Sequence, residues 1–77
     1  MIEARMVEKV LTDGSKVYDI HIRQMFDVTK DGRRCDGGDE ETLLILPANT
    51  AADADRFVAE FVAMVNRHTG DVAERTD

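Results

Sequence analysis

Any chemistry in this chain would rest on few side chains. There is one cysteine, Cys35, two histidines, His21 and His68, and an acidic run of Asp36, Asp39, Glu40 and Glu41. A cysteine nucleophile needs a neighbouring base and a pocket that excludes water. Cys35 instead follows Arg33 and Arg34, whose charges favour a thiolate and so oxidation rather than a catalytic dyad. A structural zinc site needs four ligands, commonly in locally paired spacing, and the single cysteine and two isolated histidines lack that pattern. A calcium loop needs alternating oxygen ligands about a central glycine and a glutamate at its twelfth position. The 36–41 segment has the charge without the spacing, so at most it attracts divalent cations or small ligands weakly. The expectation is therefore no catalytic residue, no cofactor and no dedicated metal site.

Within that segment, Gly37-Gly38-Asp39-Glu40-Glu41 resembles the Gly-Gly-Asp/Glu-Glu-Phe signature of diguanylate cyclases in four of its five positions. Position five is Glu41 rather than an aromatic residue. The family's nucleotide-binding domain is also far longer than this chain, so the segment reads as an acidic loop. The one basic cluster, Lys30, Arg33 and Arg34, sits among Asp31, Asp36 and Asp39 with no aromatic side chains for base stacking.

Charge narrows the partners. The chain has 77 residues and a formal net charge of −6. Residues 1–35 carry seven basic and six acidic side chains, and residues 36–77 three basic and ten acidic. A nucleic-acid binder needs a basic stripe to neutralise phosphates, and an anionic membrane surface has the same requirement. Neither partner is expected. No apolar run approaches the ~20 residues that span a bilayer. Residues 1–6 lack the basic start and apolar core of a signal peptide. A lone cysteine suits a reducing compartment, and a cytoplasmic location is expected.

The elements follow from periodicity. From Ile2 to Leu11, Ile2, Ala4, Met6 and Val10 alternate with polar positions, as in a strand with one buried face. Thr12-Asp13-Gly14-Ser15 is a hairpin signal. A two-residue loop would set Met6 beside His21. A three-residue loop, Thr12-Asp13-Gly14, pairs Leu11 with Ser15, faces Met6 with Ile20 and Ala4 with Ile22, and puts Gly14 in the left-handed conformation. The three-residue loop is expected. A second strand runs over 16–28, a similar turn falls at Thr29-Lys30-Asp31-Gly32-Arg33, and a short apolar strand covers Thr42–Leu46 up to Pro47. The glycine pair reads as a bulge or loop.

The final element is a helix N-capped by Asn49 or Thr50, with Asp53 completing a box-like start and Gly70 as the stop. Its apolar stripe is Ala54, Phe57, Val58, Phe61, Met64, Val65 and His68. Residues 71–77 read as a disordered tail. The expected fold is α+β: a three-stranded antiparallel meander of order 1-2-3, with one C-terminal helix on one face, forming a single ββ(β)α domain over 1–70.

One helix cannot cover both faces of a sheet. Val7, Leu11, Val17, Met25, Leu43 and Ile45 then share an open face, with Arg5, Lys9, Asp19 and Arg23 setting register around them. Such a patch is seldom left bare. The reading that follows is a non-enzymatic interaction domain, homodimeric through that face, with pairing at the edge of the first or third strand as a second route. The alternative is an acidic regulator that docks Asp39, Glu40, Asp53, Asp55 and Glu60 on a basic protein partner.

Overall fold

The structure is a computed structural model that describes the backbone of residues 1–28 and 34–77 and the side chains of residues 1–24 and 43–77. It contains β1 (Ile2–Val10), β2 (Lys16–Val28), β3 (Arg34–Ala48), α1 (Ala51–His68) and β4 (Ala73–Arg75). The first hairpin takes the register that places both apolar sets on one side. Met6 lies opposite Ile20, Ala4 opposite Ile22 and Glu3 opposite Arg23. Leu11 N–H donates to Ser15 O at 2.8 Å, closing the three-residue loop. Gly14 has φ 87°, where a side chain would be strained. Asp13 Oδ1 accepts from Ser15 N–H at 2.9 Å and Ser15 Oγ at 2.6 Å. These two bonds hold the exposed Asp13 carboxyl below its usual range. The expected second turn, residues 29–33, lies outside the described residues.

β2 pairs antiparallel with β3 from Tyr18 opposite Ala48 through Phe26 opposite Glu40. The register then jumps, resuming with Asp27 opposite Cys35, so residues 36–39 are inserted without partners on β2. The third strand is thus far longer than the expected Thr42–Leu46, and Pro47 lies within it. Since β1 ends its pairing at Gln24, the stretch beyond is a two-stranded ribbon of β2 and β3 alone.

The sheet has four strands in the order β3-β2-β1-β4. This corrects the expected three-stranded meander. Residues 71–77 are not a loose tail: Ala73–Arg75 pairs parallel to β1, with Ile2 opposite Ala73 and Ala4 opposite Arg75. Side-chain chemistry docks this strand. Asn66 donates from Nδ2 to Ala73 O at 3.0 Å and accepts from Ala73 N–H at 2.8 Å, copying what a neighbouring strand would do. Arg75 reaches Asp55 on the helix at 2.6 Å and Asp77 at 2.5 Å. Met6 N–H donates to Asp77 Oδ2 at 3.1 Å.

Thr50 caps α1, its Oγ1 accepting from Asp53 N–H at 3.1 Å. The helix ends at His68 with Thr69 as its C-cap, directly before the expected stop at Gly70. Thr69 turns back at that point, its N–H and Oγ1 both donating to Val65 O, at 3.1 and 2.8 Å. The core joins Ala4 and Ile20 of the sheet to Ala54 and Val58 of the helix, with Met6, Tyr18, Ile22, Leu46, Phe61 and Val62 packed around them. Val65 and Ala73 are buried beside it. The expected stripe is wider than the buried one. Phe57 and Met64 stay 38% and 52% exposed, and His68 is exposed, because the helix leans toward β4 and away from β3.

Candidate functional site

The two edges of the sheet differ. On one side β4 covers β1, leaving a three-residue strand anchored by Asn66 and Arg75 as the outer edge. On the other, β3 is outermost. Its central residues were chosen for burial: Leu43, Leu44, Ile45 and Leu46 are all apolar, the pattern of a strand covered on both faces. Among the described residues nothing covers them: Leu43 and Leu44 are each 51% exposed and Ile45 47%, although Leu43 and Ile45 alternate with Leu44 between the two faces. An apolar outer strand exposed on both faces among the described residues has the character of a template for another strand.

The open sheet face is more polar than expected. Glu3 and Arg23 bridge across it at 2.6 Å, and Lys9 and Asp19 at 3.0 Å. Lys16, bonded to Glu8 at 3.2 Å, has its pKa raised by that hydrogen bond. These pairs divide the anticipated patch. Val7 is half-buried among them, whereas Leu11 and Val17 lie exposed near the first turn. Leu43 and Ile45 are at the opposite edge, and the side chain of Met25 lies outside the described set. Arg23 serves as a cross-strand ion-pair partner. The structure therefore brings together Leu43 and Ile45 of the expected interface and adds Leu44, which parity had assigned to the helix side.

At one end of that face is a depression of about 60 Å³, lined by Glu3, Arg5, His21, Arg23, Leu43 and Thr76. His21 Nε2 is buried there with no hydrogen-bond partner among the described residues. The volume is that of about two water molecules. Among the described residues, no three His, Cys, Asp or Glu side chains converge as a metal would require. No described helix is long and apolar enough to cross a membrane.

Of the expected acidic surface, Asp55 is bound to Arg75, Asp53 sits in the first helical turn, and Glu60 borders the exposed Phe57 and Met64 and the half-buried Phe61. The side chains of Cys35, Asp36, Asp39, Glu40 and Glu41 lie outside the described set. Two shifts belong to β4 docking: the hydrogen bond from Arg75 lowers the pKa of Asp77, and those from Asp77 and then Asp55 raise that of Arg75. Nothing in the periodicity of residues 71–77 advertised this network, because a three-residue strand is too short to show one. The chain matches no family model, no curated protein and no solved structure.

Proposed function

We propose that the protein is a non-enzymatic interaction domain that assembles with a second copy of itself through the β3 edge. The carrying observation is the exposure of Leu43, Leu44 and Ile45 on both faces of an outermost strand. Charge supports a symmetric antiparallel pairing. The uncharged segment 42–46 is bounded by Glu41 on one side and Pro47, which lacks an N–H, on the other. A two-fold axis normal to the sheet at Leu44 sets Leu44 against its copy, Leu43 against Ile45 and Thr42 against Leu46. Residues of like parity meet, so each face continues across the junction. Glu41 and Glu40 then fall at positions opposite Pro47 and Ala48, just before the partner's helix N-terminus, where acidic residues are favoured. A parallel in-register pairing would instead stack each glutamate on its own copy. Two-fold pairing occupies the β3 edge of both copies and leaves only the short β4 strand outermost at each end.

Sedimentation equilibrium over micromolar to millimolar concentration tests this reading. The proposal expects self-association to twice the 8.6 kDa chain mass, abolished by Ile45→Lys with the fold retained. A monomer throughout that range overturns it.

A further inference from the structure

We infer that the open face of the sheet carries a binding site for a small aliphatic carboxylate, its head group held by Arg5, His21 and Thr76 and its alkyl chain lying on Leu43 and Ile45. The register brings these residues together. Arg5 lies opposite His21, and His21 opposite Ile45. Thr76 follows Arg75, whose partner on β1 is Ala4, and so falls beside Arg5. One cross-strand row therefore runs Thr76, Arg5, His21, Ile45, and Leu43 is the next residue of β3 on the same face. Arg5, His21, Leu43 and Thr76 line the depression of about 60 Å³, and Glu3 and Arg23 complete its described lining.

Three donors on this row have no partner among the described residues. The first is His21 Nε2, which is buried. The positions that adjoin His21 in the sheet are Asp19 and Arg23 along β2 and Arg5 and Ile45 across from it. All four are described, and none of them bonds Nε2. A buried polar nitrogen left in this way costs free energy that a bound acceptor would recover. The second is Arg5. It is exposed, and its guanidinium has no ion pair or hydrogen bond among the described residues. Lys9 and Arg23 on the same face are paired to Asp19 and Glu3. The third is the Thr76 hydroxyl. Thr76 N–H donates to Ala4 O at 3.1 Å, but its Oγ1 has no such bond.

Charge and size select the ligand. Glu3 brings one negative charge to the lining and Arg5 and Arg23 two positive ones, a net +1 before His21 is counted, in a chain whose formal net charge is −6. Glu74 stands opposite Glu3, outside the lining. An anion is therefore favoured over a cation. Space for about two water molecules fits the two oxygens of a carboxylate better than the four of a phosphate. It is far below the ~300–1,000 Å³ that a drug-sized ligand occupies, so only a small head group enters. A guanidinium grips a carboxylate through two parallel N–H···O bonds. The remaining lone pairs are then within the reach of His21 Nε2, in its Nε2–H tautomer, and of Thr76 Oγ1. The way out passes over Leu43 and Ile45, 51% and 47% exposed. They are one strand spacing, about 4.8 Å, from β2, a distance that a short alkyl chain covers. All of these residues belong to one copy and one face, whereas β3 pairing takes place in the plane of the sheet, so the inference does not rest on that pairing.

The test is a titration of the isotope-labelled full chain with sodium butanoate at constant ionic strength, with acetate, butylammonium and inorganic phosphate as comparisons. The expected result is saturable millimolar binding of butanoate, with amide shifts centred on Arg5, His21, Leu43 and Thr76 and the His21 Nε2 nitrogen shift moving to the protonated form. Acetate should bind about fourfold more weakly, for two methylenes half covered. Phosphate should bind more weakly than butanoate, and butylammonium should produce no saturable shift at these residues. Arg5→Gln should weaken butanoate at least about tenfold, and His21→Phe at least about threefold, with circular dichroism unchanged. Leu43→Ala should erase the preference for butanoate over acetate. Lys9→Gln, which removes a cation of the same face outside the lining, should leave the affinity unchanged. Absence of saturable butanoate binding overturns the inference. So do equal binding of phosphate or chloride, or a loss on Lys9→Gln as large as that on Arg5→Gln.

Discussion

Replacing Leu44 by alanine isolates what the β3 edge contributes to assembly. The change deletes three side-chain carbons, worth about 2.4 kcal/mol if fully transferred from water at ~0.8 kcal/mol per CH₂. Leu44 is 51% exposed in the single copy, so about half of that, roughly 1.2 kcal/mol, is left to be gained on pairing. The two-fold axis brings two copies of the residue together, and the loss per dimer is about 2.4 kcal/mol, or roughly 50-fold in Kd. The other half is a folding term of about 1.2 kcal/mol, small against a typical domain stability of about 5–15 kcal/mol. The variant should fold, with a slightly lower urea midpoint, and dissociate about 50-fold more readily by sedimentation equilibrium. Val17→Ala, at an exposed position away from β3, should leave the dimer constant unchanged. A dimer that loses less than about threefold on Leu44→Ala, or as much on Val17→Ala, would refute the placement of the axis.

Three further outcomes concern the scaffold. Asn66→Ala removes both bonds to the Ala73 backbone and should cost about 1–3 kcal/mol, with amide exchange accelerating at Ile2 and Ala73 before it does at Ile20. Gly14→Ala places a Cβ at φ 87° and should destabilise by about 1–2 kcal/mol in urea unfolding, whereas Gly14→Asn should cost less. The Asp77 carboxyl is held below its ordinary 3.8 first by the Arg75 hydrogen bond. Its stabilisation is therefore full above the unfolded-state value and disappears as pH falls through the lowered native one. Asp77→Asn should flatten the acid limb of the stability–pH curve while leaving the slope above pH ~6 unchanged.

The parts of the fold that were legible in the sequence are those where a repeated pattern coincided with turn chemistry. Alternation at Ala4, Met6, Ile20 and Ile22 allowed only one hairpin register, and Gly14 supplied the one backbone conformation that register needs. Thr50 and Asp53 marked the helix start because a cap is a local device. β4 was illegible because single side chains, Asn66 and Asp55, and pairing to β1 hold it, and none of these shows as periodicity in residues 71–77. The same blind spot affects the helix stripe: without β4, α1 is expected to bury Phe57 and Met64, whereas it packs on β1, β2 and β4 more than on β3 and leaves both exposed. The open face carries the ion pairs Glu3–Arg23 and Lys9–Asp19; the hairpin register places Glu3 opposite Arg23, and the sequence already assigned Lys9, Asp19 and Arg23 to that face.

The most direct test of the central claim is an isotope-filtered NOE experiment on a mixed sample, half uniformly labelled and half unlabelled. Edge pairing about Leu44 predicts cross-copy NOEs from Leu43 to Ile45 and from Leu44 to its own counterpart. A spectrum with no cross-copy NOEs at millimolar concentration, or with them confined to Val7, Leu11 and Val17, would contradict it.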